Sequence, residues 1–160
     1  MSTEDTRKGL ENLEVWKRAS AFAVAICQEI IPTLPSEEKY ALASQLRRAV
    51  QSIPANIAEG YGRYYYQEGI RYSYIARGSI EETYSHLYLA SRLSYISPQL
   101  FQKYALEIME MRMMLNGFIA YLKRSKRGEK EPGNNYQIRD HEEYPASEFE
   151  NSDISFEENP

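Results

Sequence analysis

Arginine and tyrosine are the residues of this chain that gather closely enough to do chemistry. Nine tyrosines fall between positions 61 and 95, interleaved with arginines in the run RYYYQEGIRYSYIAR. Guanidinium and ammonium groups attract phosphate without regard to base sequence, and aromatic rings beside them can stack on unpaired bases. Arg47, Arg48, Arg63, Arg71 and Arg77, with Lys123, Arg124, Lys126 and Arg127, are therefore the candidate nucleic-acid contacts. Each also has a simpler reading. The run KRSKR suits the negative end of a helix dipole, a lone arginine suits a salt bridge or solvent, and tyrosines at helical spacing, such as Tyr84 and Tyr88, suit a core or interface with a wet hydroxyl.

Other chemistries find little support. The two histidines are His86 and His141. A di-iron bundle needs Glu-x-x-His on two helices, whereas Glu82 and His86 are four apart and have no second copy. No glycine-rich phosphate loop, nucleophile elbow or zinc-ligand spacing occurs. Glu81 and Glu82 are adjacent, about 100° apart on a helix, which predicts one packed inward and one solvated rather than an acid–base pair. No catalytic residue, metal site or cofactor is expected.

The formal net charge of −4 hides an asymmetry. Residues 1–128 carry 17 basic and 13 acidic side chains, a net of +4, while residues 129–160 carry 2 and 10, a net of −8. A mildly basic body thus precedes a strongly acidic tail. Cys27 is the single cysteine, so no internal disulfide can form; among Ala23, Val24 and Ile26 it reads as a small packed hydrophobe. There is no leader pattern, and the apolar run from Ala21 to Cys27 is too short for a membrane span; a cytoplasmic location is expected, with no membrane partner.

The elements that must position these residues read as helices. Leu13, Trp16, Ala19, Ala23, Ile26 and Ile30 form a first stripe, stopped by Pro32 and Pro35. Ser36 is expected to cap a second helix, with Glu37 and Glu38 in its first turn. A third runs from about Tyr66 to Ser94. Pro98 suits the first turn of a fourth, to about Ser125, along which Phe101, Tyr104, Ile108, Met111, Leu115, Phe118 and Leu122 alternate spacings of three and four. The expected architecture is one domain: an all-α, antiparallel up-down-up-down four-helix bundle over 12–127, after a frayed stretch at 1–11 and before an acidic tail at 128–160, which cannot bury enough apolar surface to order itself.

The stretch from Gln45 to Arg63, QLRRAVQSIPANIAEGYGR, is the most distinctive. Leu42, Leu46, Val50, Ile53 and Ile57 keep helical spacing on both sides of Pro54, although a proline inside a helix costs about 3 kcal/mol. The segment SIPANIAEGYGR, with QLRRA before it and YIARGSIEE after it, resembles the bacterial four-helix-bundle family associated with intervening sequences in 23S ribosomal RNA genes, the S23-like proteins. The resemblance spans roughly Leu13 to Lys126 and marks Pro54, Asn56, Glu59, Gly60, Gly78 and Glu82 as motif or structural positions. It also extends to the accessory variability protein of diversity-generating retroelements, which works beside a reverse transcriptase.

From the resemblance, a ring-shaped homopentamer is expected. Arg48 and Glu59 lie three helical turns apart and form either a solvated face or a polar seam against another subunit, and Phe22, Val24 and Ile26 are expected to leave apolar surface for that interface. The leading functional expectation is a non-enzymatic oligomer that binds RNA or an RNA–DNA intermediate. The alternatives are an adaptor docking on a larger enzyme such as a reverse transcriptase, and a self-assembling scaffold without nucleic acid. The acidic tail either solubilises the protein or folds back to compete with nucleic acid.

Overall fold

The computed structural model describes residues 9–126 and 128–130. Among these residues the chain is all-helical, with no strand. A single turn at residues 9–11 precedes four long helices: α1 (Glu14–Ala25), α2 (Leu42–Gly62), α3 (Tyr66–Arg92) and α4 (Pro98–Ser125). Of the stretch expected to fray, 1–11, residues 9–11 form that helical turn instead, and 1–8 lie outside the described residues, as do 127 and 131–160 of the tail region.

The α1 stripe buries Val15, Ala19, Phe22 and Ala23. It continues through a π-helical turn at Ile26–Ile30 and a short 3-10 turn at Ile31–Thr33, where Pro32 ends the run. Phe22 and Ile26 are 1% and 0% exposed. They belong to the protein's own core, and the apolar interface expected from Phe22, Val24 and Ile26 reduces to Val24 alone, which is exposed. The π turn has a consequence in packing: Glu29 Oε2 accepts a 2.6 Å hydrogen bond from Tyr104 Oη and a 3.0 Å bond from Lys103 Nζ, both on α4.

Ser36 does not cap α2. Residues Ser36–Tyr40 form a separate 3-10 turn, and α2 starts only at Leu42. The N-cap position is Ala41, and the first helical N–H, that of Leu42, is met instead by Glu38 Oε2 at 3.1 Å. A carboxylate serves there as well as a hydroxyl because it meets the same orphan donors and the positive end of the dipole.

From Leu42, α2 runs unbroken to Gly62 through Pro54. Its stripe of Leu42, Leu46, Val50, Ile53 and Ile57 is buried throughout, joined by Ala43, Ala49 and Gly60. Burial on that scale offsets the proline, since each fully buried aliphatic side chain contributes about 1.5–3 kcal/mol. Just beyond Pro54 a polar seam reaches α3: Asn56 Nδ2 donates to the Ser52 carbonyl (2.8 Å) and to Ser52 Oγ (2.9 Å), and Ser52 Oγ lies 2.9 Å from Ser79 Oγ.

The inner face of α3 is built from small and hydroxyl side chains, among them Gly69, Ser73, Ala76, Ser79 and Thr83. Ser73 and Thr83 return their hydroxyls to the carbonyls of Gly69 and Ser79, each at 2.8 Å, so no buried hydroxyl is stranded there. The helix ends at Arg92, two residues before the expected Ser94, because Ser94 is left-handed (φ 60°) and turns the chain out.

Pro98 occupies the first turn of α4, with Ser97 Oγ accepting from the Leu100 N–H at 3.1 Å. Tyr104, Ile108, Met111 and Leu115 are buried as the stripe requires; the last buried position is Ile119, while Phe118 and Leu122 are half-buried. A straight helix repeats every 3.6 residues, so a 3.5-residue stripe drifts by about 20° per heptad and its last members turn toward the edge of the core.

The helices enclose one core, in which Phe22 of α1 meets Tyr104 of α4 edge to face at 5.9 Å. Ties across the surface are Arg18–Glu110 (2.8 Å) between α1 and α4, and Arg112–Glu81 (2.8 Å) between α4 and α3.

Candidate nucleic-acid interface

The structure divides the predicted basic residues into groups. Arg63 caps the end of α2 in extended conformation and Arg71 stands in the second turn of α3. Lys123 and Arg124 close the last turn of α4, with Lys126 immediately after it. All five collect around the α2–α3 connection and the α4 C-terminus. Arg47 and Arg48 sit sixteen and fifteen residues before Arg63 on α2, about 22–24 Å away along the axis. They are exposed, with no side-chain partner among the described residues. Arg77 is engaged elsewhere: its guanidinium lies 4.9 Å from the Tyr74 ring centroid and donates to Asn116 Oδ1 at 3.4 Å, tying α3 to α4. Arg127 lies outside the described residues.

Between the helix ends is a cleft of about 190 Å³, walled by Tyr61, Tyr64, Tyr65, Tyr66, Phe118 and Tyr121 and edged by Arg63. Tyr64 and Tyr121 are half-exposed, at 50% and 57%. Phe118 and Tyr121 stack nearly parallel, 19° between planes and 6.4 Å between centroids, and Tyr64 meets Tyr65 edge to face at 5.4 Å. The tyrosine run contributes one wall only. Phe118 and Tyr121 arrive from α4, the former expected in the core and the latter unremarkable in sequence apart from its position two residues before KRSKR.

Electrostatics order this end. Arg63 bonds Glu59 one turn back, donates to Tyr72 Oη at 3.2 Å and lies 5.4 Å from that ring's centroid. These hydrogen bonds, that to Glu59 foremost, raise its pKa above the ordinary arginine value. Lys126 is raised too, by its hydrogen bond to Glu129. Glu59 pairs with Arg63, and because α2 is continuous through Pro54 it also keeps the three-turn spacing from Arg48. A planar, oriented guanidinium beside open aromatic faces suits a phosphate and an adjacent unpaired base.

Among the motif positions, Gly60 and Asn56 have clear structural roles. Gly60 is buried where α2 crosses α3: an added Cβ would stand 2.9 Å from Tyr72 Cβ and 3.1 Å from the Gly69 carbonyl oxygen. Asn56 holds the polar seam after Pro54. Glu82 is exposed and lies 3.6 Å from His86 Nε2. Glu81 is exposed as well and pairs with Arg112, so neither of the adjacent glutamates packs inward. Gly78 is exposed on α3, with nothing within 4 Å of an added Cβ.

Residues 11–117 match the model of the 23S rRNA-intervening sequence protein family. The chain belongs to that family. No curated protein matches the chain. Among solved structures it is similar to a protein of unknown function from the S23 ribosomal protein family of Bacteroides thetaiotaomicron VPI-5482, with 26% identity and a TM-score of 0.60 over 66% of this chain and 97% of the other. The family match therefore includes the α2–α3 half of the cleft, Phe118 and Tyr121 falling just past its end.

No group of three or more His, Cys, Asp or Glu side chains among the described residues is placed to hold a metal ion, and no helix among them is long and apolar enough to cross a membrane. A second, shallower cleft of about 540 Å³ lies between α3 and α4, lined by Tyr84, Phe101, Leu106, Met109, Glu81 and Arg112.

Proposed function

We propose that this member of the 23S rRNA-intervening sequence protein family is a non-enzymatic, oligomeric bundle that binds unpaired RNA, or an RNA–DNA intermediate, at its aromatic–basic end. The observation that carries this reading is the tyrosine-walled cleft edged by Arg63, with Arg71, Lys123, Arg124 and Lys126 on the adjoining helix ends. Phosphates would lie on the cations and one or two bases on the exposed faces of Tyr64 and Tyr121, an arrangement tolerant of sequence because every base has a π face. The body is read as an antiparallel up-down-up-down four-helix bundle, a reading supported by the tie of Arg18 to Glu110 and of Glu29 to Lys103 between α1 and α4, where one helix ascends as the other descends.

Ultraviolet cross-linking of the full chain to a uridine-rich oligonucleotide, with the modified residues located by mass spectrometry, tests the site. Adducts at Tyr64 or Tyr121 are expected; adducts confined to the Arg47–Arg48 region would move the interface to the other stretch of α2.

A second reading has its own support. Leu106, Met109 and Met113 recur at helical spacing on the outer side of α4 and are 52%, 47% and 59% exposed, beside the cleft containing Tyr84 and Phe101. An apolar stripe of this kind suits a protein partner, either further copies, up to the ring of five implied by the resemblance, or a larger enzyme such as a reverse transcriptase. Light scattering on the protein as purified, with the 260/280 nm absorbance ratio of the peak, separates these: a multimer with nuclease-sensitive absorbance supports the first reading, and a multimer without it shifts the function to docking or self-assembly.

A further inference from the structure

The end of α4 does not simply release the chain. Lys126 adopts a left-handed conformation (φ 47°) and Gly128 a second one (φ +81°). Together they reverse the backbone and lay Gly128 against the tyrosine wall: an added Cβ there would stand 2.7 Å from Tyr65 Cδ1 and 3.3 Å from Tyr64 Cε1. A side chain at position 128 would therefore be excluded both by its φ and by the rings. The next residue, Glu129, donates its N–H to the Lys126 carbonyl and accepts from Lys126 Nζ, each at 3.1 Å. The first carboxylate beyond the helix thus pairs with Lys126, next in the chain after Ser125 of the cleft lining.

The remaining thirty residues are complementary to that site in composition. Residues 131–160 hold nine acidic side chains against the single basic Arg139, a net of −8, with Tyr136, Tyr144, Phe149 and Phe156 among them. Carboxylates spaced along a chain match cations that would otherwise take phosphates, and the aromatic rings match faces that would otherwise take bases.

We infer that segment 131–160 is an internal competitor that docks on the tyrosine–basic cleft of its own chain and is displaced by nucleic acid. Thirty residues span up to about 100 Å when extended, ample to cross the end of a helical bundle, and a short tether holds a ligand at an effective concentration on the order of millimolar. Weak contacts therefore suffice for occupancy. The competition rests on the nucleic-acid reading above; the docking does not.

The test uses the full-length chain with Glu142→Gln, Glu143→Gln, Glu148→Gln and Glu150→Gln combined, beside the unaltered protein. Two quantities are read: the ring resonances of Tyr64 and Tyr121 in nucleic-acid-free protein, and the affinity for an unstructured oligouridine at low salt. Docking predicts that the ring resonances move on neutralisation and that the affinity rises about threefold to tenfold, as expected for loss of a weak tethered ligand. Unmoved resonances overturn the docking even if the affinity rises, because relief of long-range repulsion alone would raise it. Moved resonances with unchanged affinity overturn the competition. Moved resonances with no oligouridine bound by either protein leave the docking standing and remove the nucleic-acid reading instead.

Discussion

Gly60 on α2 and Gly69 on α3 meet backbone to backbone: an added Cβ on Gly60 falls 3.1 Å from the Gly69 carbonyl oxygen, and one on Gly69 falls 3.3 Å from the Gly60 carbonyl oxygen. This crossing brings the α2–α3 connection close to α4, where Leu122 Cδ1 stands 3.3 Å from the same Gly69 position, and so it sets the width of the tyrosine-walled cleft.

Gly60→Ala is accordingly expected to destabilise the protein by about 1–3 kcal/mol, the range for overpacking a close contact. Gly78→Ala is the control with the opposite sign, since its site is open and a helix-interior glycine is worse than alanine by about 1 kcal/mol. Urea denaturation of the two variants checks both. A stabilised Gly78→Ala that also loses its multimeric state would place the exposed face of α3 in a subunit contact.

Tyr104 is buried, and its hydroxyl bonds Glu29. Its pKa is pushed up from 10.0 to about 12, by burial first and then by that carboxylate. A phenol whose folded pKa exceeds its unfolded value stabilises below the unfolded value and loses that contribution as pH rises through the folded one. Stability should therefore fall between about pH 10 and pH 12, and less steeply in Tyr104→Phe, which should also show a lower urea midpoint at neutral pH. Glu29 shifts the other way, its pKa lowered by the Tyr104 and Lys103 hydrogen bonds, so its contribution is present at neutral pH and lost in acid as the carboxylate takes its proton.

The division of the arginines predicts unequal effects on RNA affinity. Tyr121→Ala should weaken binding by about 1–3 kcal/mol, the value of one stacked base, and Arg63→Ala should weaken it measurably. Arg77→Ala should leave affinity nearly unchanged and instead lower stability, because Arg77 is not among the residues lining the cleft and ties α3 to α4 through Asn116. Fluorescence anisotropy and denaturation on the same variants give the two readouts. Equal losses at Arg63, Arg47 and Arg77 would point to diffuse attraction rather than a site.

Much of this was legible in the residues. The stripe from Leu42 to Ile57 and the Tyr104–Leu115 stripe lie buried where helical spacing put them, because long amphipathic runs leave a helix little choice of face. The start of α2 was not legible, since Ser36 followed by two glutamates reads as a cap and first turn, whereas Ser36–Tyr40 form a separate 3-10 turn and Glu38 bonds the Leu42 N–H from outside the helix. Nor was the π turn, whose one extra residue aims Glu29 at Tyr104 without a signature in composition. For the cleft, the chain displays Arg63 and its tyrosines together, but Phe118 and Tyr121 come from more than fifty residues away. Nothing local links them to Tyr64; the Gly60–Gly69 crossing does.

The most direct test of the central claim is the salt dependence of binding between the full chain and an unpaired RNA oligonucleotide. Arg63 edges the cleft and Arg71, Lys123, Arg124 and Lys126 stand on the adjoining helix ends, five cations in all, and each phosphate neutralised on a single strand contributes about −0.7 to the slope of log K against log salt. A slope approaching about −3.5, shallower by roughly one cation's share in Arg63→Ala, is the predicted result. Binding that is absent, or insensitive to salt and to Arg63, would contradict the account.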